Sequence, residues 1–255
     1  MSPKAACFVV IGNEILSGRT QETNTQVLAH ALNNQGIRLA EVRIIPDQRE
    51  IIITTVSECR ARFDFVFTSG GIGPTHDDIT TSCIAEAFGV GLVCHEESFQ
   101  KLKALFKPDA FNETRQRMAW LPEGASPIEN SVSTAPGFSL GNVHVMAGVP
   151  RIFAAMVQWL VPQLSSGSPL ISRTWYAENL YEGEIAQGLT LLQSEFPTID
   201  LGSYPFERQG RHGVALVAKG YDATQVENAG NALQKLIAGT DLLPIEGEPA
   251  LSEKT

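Results

Sequence analysis

The chain alternates between short, nearly unbroken apolar runs and longer stretches with helical spacing. Residues 7–11 (CFVVI) and 65–68 (FVFT) are apolar almost throughout, which predicts strands buried on both faces, as in a parallel sheet. Between them Val27, Leu28, Ala31 and Leu32 recur at helical spacing and stop before Gly36, a C′ residue, after which residues 39–45 resume strand character. Ile52, Val56, Cys59 and Phe63 mark a second helix, and Ile79, Cys83, Ile84 and Ala87, with Gly89 behind them, mark a third. The order β-α-β-α-β-α predicts a three-layer, doubly wound α/β domain, a class whose ligands bind at the carboxyl ends of the strands.

Residues 96–106 continue as helix, whereas residues 122–137, rich in Pro, Gly, Ser and Asn, read as one long ordered loop. After a short strand at 143–146, Ile152, Phe153, Met156, Leu160, Val161 and Leu164 line one helix face that closes a first domain over residues 1–166. The run SSGSP at 165–169 reads as a linker. Beyond it come a strand at 173–177, a helix at 182–196, strands near 201–204 and 214–218, a helix at 224–237 and a last strand at 242–245. This β-α-β-β-α-β order predicts a small ferredoxin-like α+β domain over 170–246, followed by a polar tail at 247–255.

Composition narrows the function classes. A length of 255 residues suits one large and one small domain, and 43% hydrophobic content suits packed cores. A formal charge of -9, with a pI near 5.1, argues against broad contact with nucleic acid or an anionic membrane. Cys7, Cys59, Cys83 and Cys94 form no CxxC pair and each lies in an apolar stretch, so all read as buried free thiols. The apolar run 5–11 is too short to span a bilayer and leads into Asn13 and Glu14 without a cleavage-like site, so a cytoplasmic setting is expected.

Candidate chemistry concentrates in residues 68–80, TSGGIGPTHDDIT. Ser69, Gly70, Gly71 and Gly73 lie between a buried strand and a helix, where missing Cβ atoms let backbone N–H groups approach an anion. A GGxG turn by itself is equally well a tight connection. Asp77 and Asp78 change the reading, because two carboxylates beside a phosphate repel it unless a divalent cation lies between them. One Asp as a helix cap, worth about 1 kcal/mol, accounts for one carboxylate and not for two. His76 is a candidate proton acceptor, weighed against the solvated state common for a loop histidine. Glu14 follows the first strand and Asp47 the second, so the four acids converge on one sheet edge as oxygen ligands for a hard cation such as Mg²⁺ or Mn²⁺.

These motifs resemble the molybdopterin-binding (MoaB/Mog) domain superfamily, and within it the amino-terminal domain of the CinA proteins and the corresponding domain of animal FAD synthases. The segments that carry the resemblance are GNEILSG with Thr23 and Asn24, IIPD, TSGGIGPTHDDIT, the loop Ala135, Pro136, Gly137, Phe138, and Ala147, Gly148, Val149, Pro150. The run THDDIT points to the CinA and FAD synthase branch, as does LGSYP at 201–205. The resemblance implies a Mog-type first domain, a ligand site made of Gly12, Glu14, Asn24, Ser69, Gly70, Gly71, Gly73, Thr75, Pro136 and Gly137, and self-association. It matches Asp47 and Asp78 to the acidic residues shared across the superfamily. Asn13 and Glu22 stand where aspartates are usual, and Ala147 where a proline is common.

The implied activity is hydrolysis of a nucleotide pyrophosphate, such as ADP-ribose or FAD, to monophosphates. In that reading Asp77 and Asp78, with Asp47 or Glu14, hold Mg²⁺, Mn²⁺ or Co²⁺, and Asp47, Asp78 and His76 are the catalytic candidates. Two alternatives stay open: a molybdopterin-binding protein of molybdenum cofactor biosynthesis, and a nucleotide-binding module without catalysis.

Overall fold

The structure is a computed structural model that describes residues 4–107, 110–165, 167–208 and 210–249. The chain divides into two compact units, Met1–Ser168 and Pro169–Thr255.

In chain order the first unit contains β1 (Lys4–Ile11), α1 (Asn13–Leu16), α2 (Asn24–Asn34), β2 (Ile37–Ile45), α3 (Arg49–Arg62), β3 (Phe65–Ser69), α4 (Thr80–Phe88), β4 (Leu92–Cys94), α5 (Glu96–Leu105), α6 (Glu113–Gln116), β5 (Trp120–Pro122), β6 (Ser126–Ile128), β7 (Gly137–Leu140), β8 (Val143–Met146) and α7 (Pro150–Leu160). The main sheet runs β2-β1-β3-β8-β7-β6. Its first four strands are parallel, and β7 and β6 join antiparallel. A separate antiparallel pair, β4 with β5, stands outside it.

Burial follows from position in that sheet. The central strand β1 is buried from Ala6 to Ile11, because helices cover both faces. Phe8, Phe67, Leu28, Phe153 and Met156 pack on one side, and Val9, Val66, Ile52, Val56 and Ile84 on the other. The edge strand β2 alternates instead, leaving Val42 and Ile44 exposed. Helices α2 and α4 stop at the glycines the apolar pattern marked, Gly36 and Gly89. Pro150 sits in the first turn of α7, where its missing N–H has no helical partner to lose.

Three sequence expectations for this unit are corrected. Residues 122–137 are not one loop, because β6 lies inside them and pairs with β7, Ile128 opposite Gly137. The third helix begins at Thr80, two residues after Asp78, and neither Asp77 nor Asp78 caps it. Cys94 is exposed, since β4 leaves all three of its residues open to solvent, whereas Cys7, Cys59 and Cys83 are buried. Cys7 and Cys59 lie with their sulfurs 3.5 Å apart, and the neighbouring thiol together with burial pushes the Cys7 thiol up.

The second unit contains β9 (Ile171–Glu178), α8 (Glu182–Glu195), β10 (Asp200–Arg208), β11 (Arg211–Gly220), α9 (Ala223–Ala238) and β12 (Ile245–Glu246). Its sheet runs β10-β11-β9-β12 and is antiparallel throughout, the spatial arrangement of the β-α-β-β-α-β unit. Its own core gathers Trp175, Leu216, Val226, Leu233 and Ile237. The last strand is shifted from 242–245 to Ile245–Glu246. Among the described residues no helix is long and apolar enough to cross a membrane.

Candidate functional site

Parallel register brings four strand ends to one place. Ile11 pairs with Ile45, Val10 with Ser69, and Ser69 with Met146. The loops that leave these ends line one cavity of about 680 Å³, which receives Glu14, Asp47, Gly70, Gly71, Gly73, Asp77, Asp78 and Gly148. An apolar wall faces them, built from Leu102 and Leu105 of α5, from Phe106 just after it, from Met118, and from Ile152 and Met156 of α7.

The glycine turn is shaped first by its neighbours. At Gly70, with φ of +107°, a Cβ would stand 2.1 Å from the Ile11 carbonyl oxygen, and at Gly71, with φ of +68°, 2.1 Å from Thr80 Oγ1. No side chain fits either place. The Gly70 N–H donates to the Met146 carbonyl at 3.1 Å, so it is not open to an anion as the sequence had suggested. The N–H groups of Gly71, Ile72 and Gly73 have no protein acceptor among the described residues and are the donors left for a ligand.

The carboxylates are held individually. Asp47, half-buried, accepts the Asn13 N–H on Oδ2 at 2.8 Å. Asp78 accepts the Thr75 backbone N–H at 2.8 Å and the Thr75 hydroxyl on the same oxygen, which closes a tight turn over residues 75–78. The Thr75 hydroxyl also holds the exposed Asp77 carboxyl below the ordinary range, helped by the Asp77 backbone N–H. With one proton to donate, that hydroxyl serves one carboxylate at a time. Glu14 folds back on Gly12, where a Cβ would stand 2.5 Å from Oε1.

These separate anchors correct the expectation of a four-acid metal cluster. Among the described residues no three His, Cys, Asp or Glu side chains are gathered closely enough to hold an ion. The donor set is still all hard oxygen, and it fits a cation of the Mg²⁺ type, which commonly takes one or two carboxylates and completes its shell with substrate phosphate and water.

Other predicted residues fall elsewhere. His76 lines a second cavity of about 600 Å³, together with Thr75, Pro136 and Trp120, which shares Gly73, Pro74 and Asp78 with the first, and His76 is absent from the first. Its side chain is 98% exposed and lies 3.9 Å from Asp77 Oδ1, so nothing fixes it as a base for the acid-lined cavity. Asn24 is buried, donates to Ser69 Oγ at 2.9 Å and to the Gly148 carbonyl at 3.0 Å, and so braces the turn from behind. Gly12 is buried under Glu14, and Gly137 opens β7 where a Cβ would meet the Val145 carbonyl at 2.4 Å. Both are packing residues here. Glu22 accepts the backbone N–H groups of Asn24 and Thr25, which gives this substituted position a role at the start of α2.

The sequence reading missed the apolar wall and Arg115 of α6, which also lines the first cavity. For the part of the wall on α5 the only signal was helical character at 96–106, which says that a face is buried and not what it covers, and for Arg115 there was none.

Four parallel strands whose ends carry a glycine turn, acids and an apolar wall define an α/β protein with a candidate ligand site at the switch from strand to helix. The chain belongs to the probable molybdopterin binding domain family, whose model matches residues 7–166, and the FAD synthase middle domain matches residues 169–245. A protein of Archaeoglobus fulgidus is 31% identical over 90% of this chain and 96% of its own length. A CinA-like protein of Anaeromyxobacter is 33% identical over 62% of this chain and 41% of that longer protein. The crystal structure of the protein CinA from Thermoplasma acidophilum matches 64% of this chain and 99% of its own, at 31% identity and a TM-score of 0.59.

Proposed function

We propose that the 680 Å³ cavity binds a nucleotide pyrophosphate, of the ADP-ribose or FAD type, and that the protein hydrolyses it to two monophosphates with a divalent cation. The observation that carries this reading is the meeting, in one cavity, of unpartnered N–H groups at Gly71, Ile72 and Gly73 with the carboxylates of Asp47 and Asp78 and an apolar wall. N–H donors suit phosphate oxygens, the wall suits a ring, and acids beside an anion call for a cation.

Asp47 and Asp78 are the residues to hold that cation, each with one carboxylate oxygen already tied to backbone and the other without a hydrogen bond among the described residues. When bound, Mg²⁺, Mn²⁺ or Co²⁺ supplies neutralisation of the phosphate charge and an acidified water. Gly71, Ile72 and Gly73 orient the phosphate oxygens, and Leu102, Phe106 and Met118 exclude water from the ring side. Hydrolysis adds one water across a P–O–P bond, so ADP-ribose yields AMP and ribose 5-phosphate. The test is a hydrolysis screen of metals against dinucleotides with products identified by mass. Release of AMP from ADP-ribose or FAD supports the reading, and no turnover across the panel rejects it.

A second reading rests on the family description, a probable molybdopterin binding domain. There the same turn holds the phosphate of a pterin, and a fluorescent pterin copurifying with the protein is the expected sign. Metal-dependent binding without product, seen by calorimetry, marks the third reading, a module that binds and does not hydrolyse; Asn13, in place of a usual acid, favours it over the second.

A further inference from the structure

The cavity carries four carboxylates, Glu14, Asp47, Asp77 and Asp78, and a single basic side chain, Arg115. Such a balance repels an anion unless a cation and that one guanidinium both serve it. Arg115 is prepared for the task. The turn of α6 that presents it is capped by Asn112, whose side chain accepts the Arg115 N–H at 3.2 Å. The guanidinium stands 4.5 Å from the centroid of the Phe106 ring, and Nη1 donates to the Ala110 carbonyl. Phe106 in turn stacks on Phe111 at 6.2 Å and 12°.

A guanidinium has five N–H donors. Among the described residues only one of those of Arg115 meets a protein acceptor and no carboxylate pairs with it. In a chain with 28 acidic and 19 basic residues, an arginine fixed by a ring and a carbonyl, with no counter-ion among the described residues, has its charge in reserve.

We infer that Arg115 is the anion-recognising residue of this cavity: its guanidinium takes ligand phosphate oxygens in a forked, charge-assisted pair, and Phe106 holds the fork in place. This deepens the pyrophosphate reading and rests on it. It assigns the arm of α5 and α6, whose own small apolar cluster contains Leu102 and Phe111, the work of selecting phosphorylated over unphosphorylated ligands.

The experiment is calorimetric titration of ADP-ribose, AMP and adenosine, with Mg²⁺ and with EDTA, into the full chain and into Arg115→Met and Arg115→Lys. Arg115→Met is expected to weaken ADP-ribose and AMP roughly 10- to 100-fold, to flatten the salt dependence, and to leave adenosine unchanged. Arg115→Lys keeps the charge without the fork and restores part of the loss. Equal weakening for adenosine, or unaltered AMP affinity in Arg115→Met, overturns the assignment while leaving the pyrophosphate reading standing. Failure of the unaltered protein to bind any of the three overturns both. Thermal melting of each variant separates a lost contact from a collapsed arm, and an Arg115→Lys protein that melts normally and binds as tightly as the unaltered chain counts against the fork.

Discussion

Asp47 at the end of β2 accepts a hydrogen bond at 2.8 Å from the backbone N–H of Asn13, the residue that opens α1 after β1. One carboxylate thus ties two adjacent strand ends together, and its other oxygen has no hydrogen-bond partner among the described residues. Structural and chemical roles are separable at this residue. Asp47→Asn keeps an acceptor for the Asn13 N–H and loses the charge, whereas Asp47→Ala loses both. We expect Asp47→Asn to melt close to the unaltered protein but to lose divalent-dependent nucleotide affinity by tenfold or more, and Asp47→Ala to cost a further ~1 kcal/mol in stability. Paired calorimetry and urea titration check this, and equal melting of both variants counts against the tie.

Thr75 holds the turn that presents Asp78 and Asp77. Removing the hydroxyl in Thr75→Val is expected to let the Asp77 carboxyl return upward towards the ordinary carboxylate range. The depressed value means that Asp77 stays ionised to lower pH in the unaltered loop. Carboxyl chemical shifts followed by NMR through the acid range read this directly, and an unchanged Asp77 midpoint in the variant contradicts it.

Gly70 is irreplaceable for packing reasons that precede any ligand. Gly70→Ala places a Cβ 2.1 Å from the Ile11 carbonyl in a backbone conformation L residues avoid, so a loss of about 2–4 kcal/mol is expected. Chemical denaturation measures it. A loss below ~1 kcal/mol indicates that the strand ends are not held this close.

His144 predicts an acid sensitivity of the first unit. It is buried beside the Phe67 ring at 5.1 Å, its Nδ1 lies 2.8 Å from Ser139 Oγ, and burial lowers its pKa from 6.5 to about 4. A buried neutral imidazole is protonated first in the unfolded chain. Its share of stability is therefore complete above pH 6.5 and is lost as pH falls through about 4, an upper figure of about 3 kcal/mol. Urea titrations at several pH values down to 4 should show this slope, and His144→Phe should reduce it. An identical slope in the variant assigns the acid sensitivity to other groups.

The elements legible from sequence are those whose period is set by burial. The run 7–11 could only be a strand covered on both sides, and α2, α4, α7 and α9 follow their apolar spacing. What was not legible depends on partners distant in the chain. The segment Ser126–Ile128 is a strand because Gly137–Leu140 lies beside it, not because of its own three residues. The acids were legible as neighbours on one sheet edge, but which backbone N–H each would accept was not, and that choice keeps them from forming a closed cluster. Arg115 was hidden for a related reason, since only the packing of Phe106 and Phe111 carries it to the cavity.

The central claim is that the acid-lined glycine turn holds a pyrophosphate through a shared cation. Its most direct test is the release of AMP from ADP-ribose, with and without Mn²⁺, by the unaltered protein and by Asp78→Asn, which retains an acceptor for the Thr75 turn but lacks the charge. Metal-dependent release that disappears in Asp78→Asn is the predicted result. Release that is independent of the metal, or undiminished in Asp78→Asn, contradicts the account.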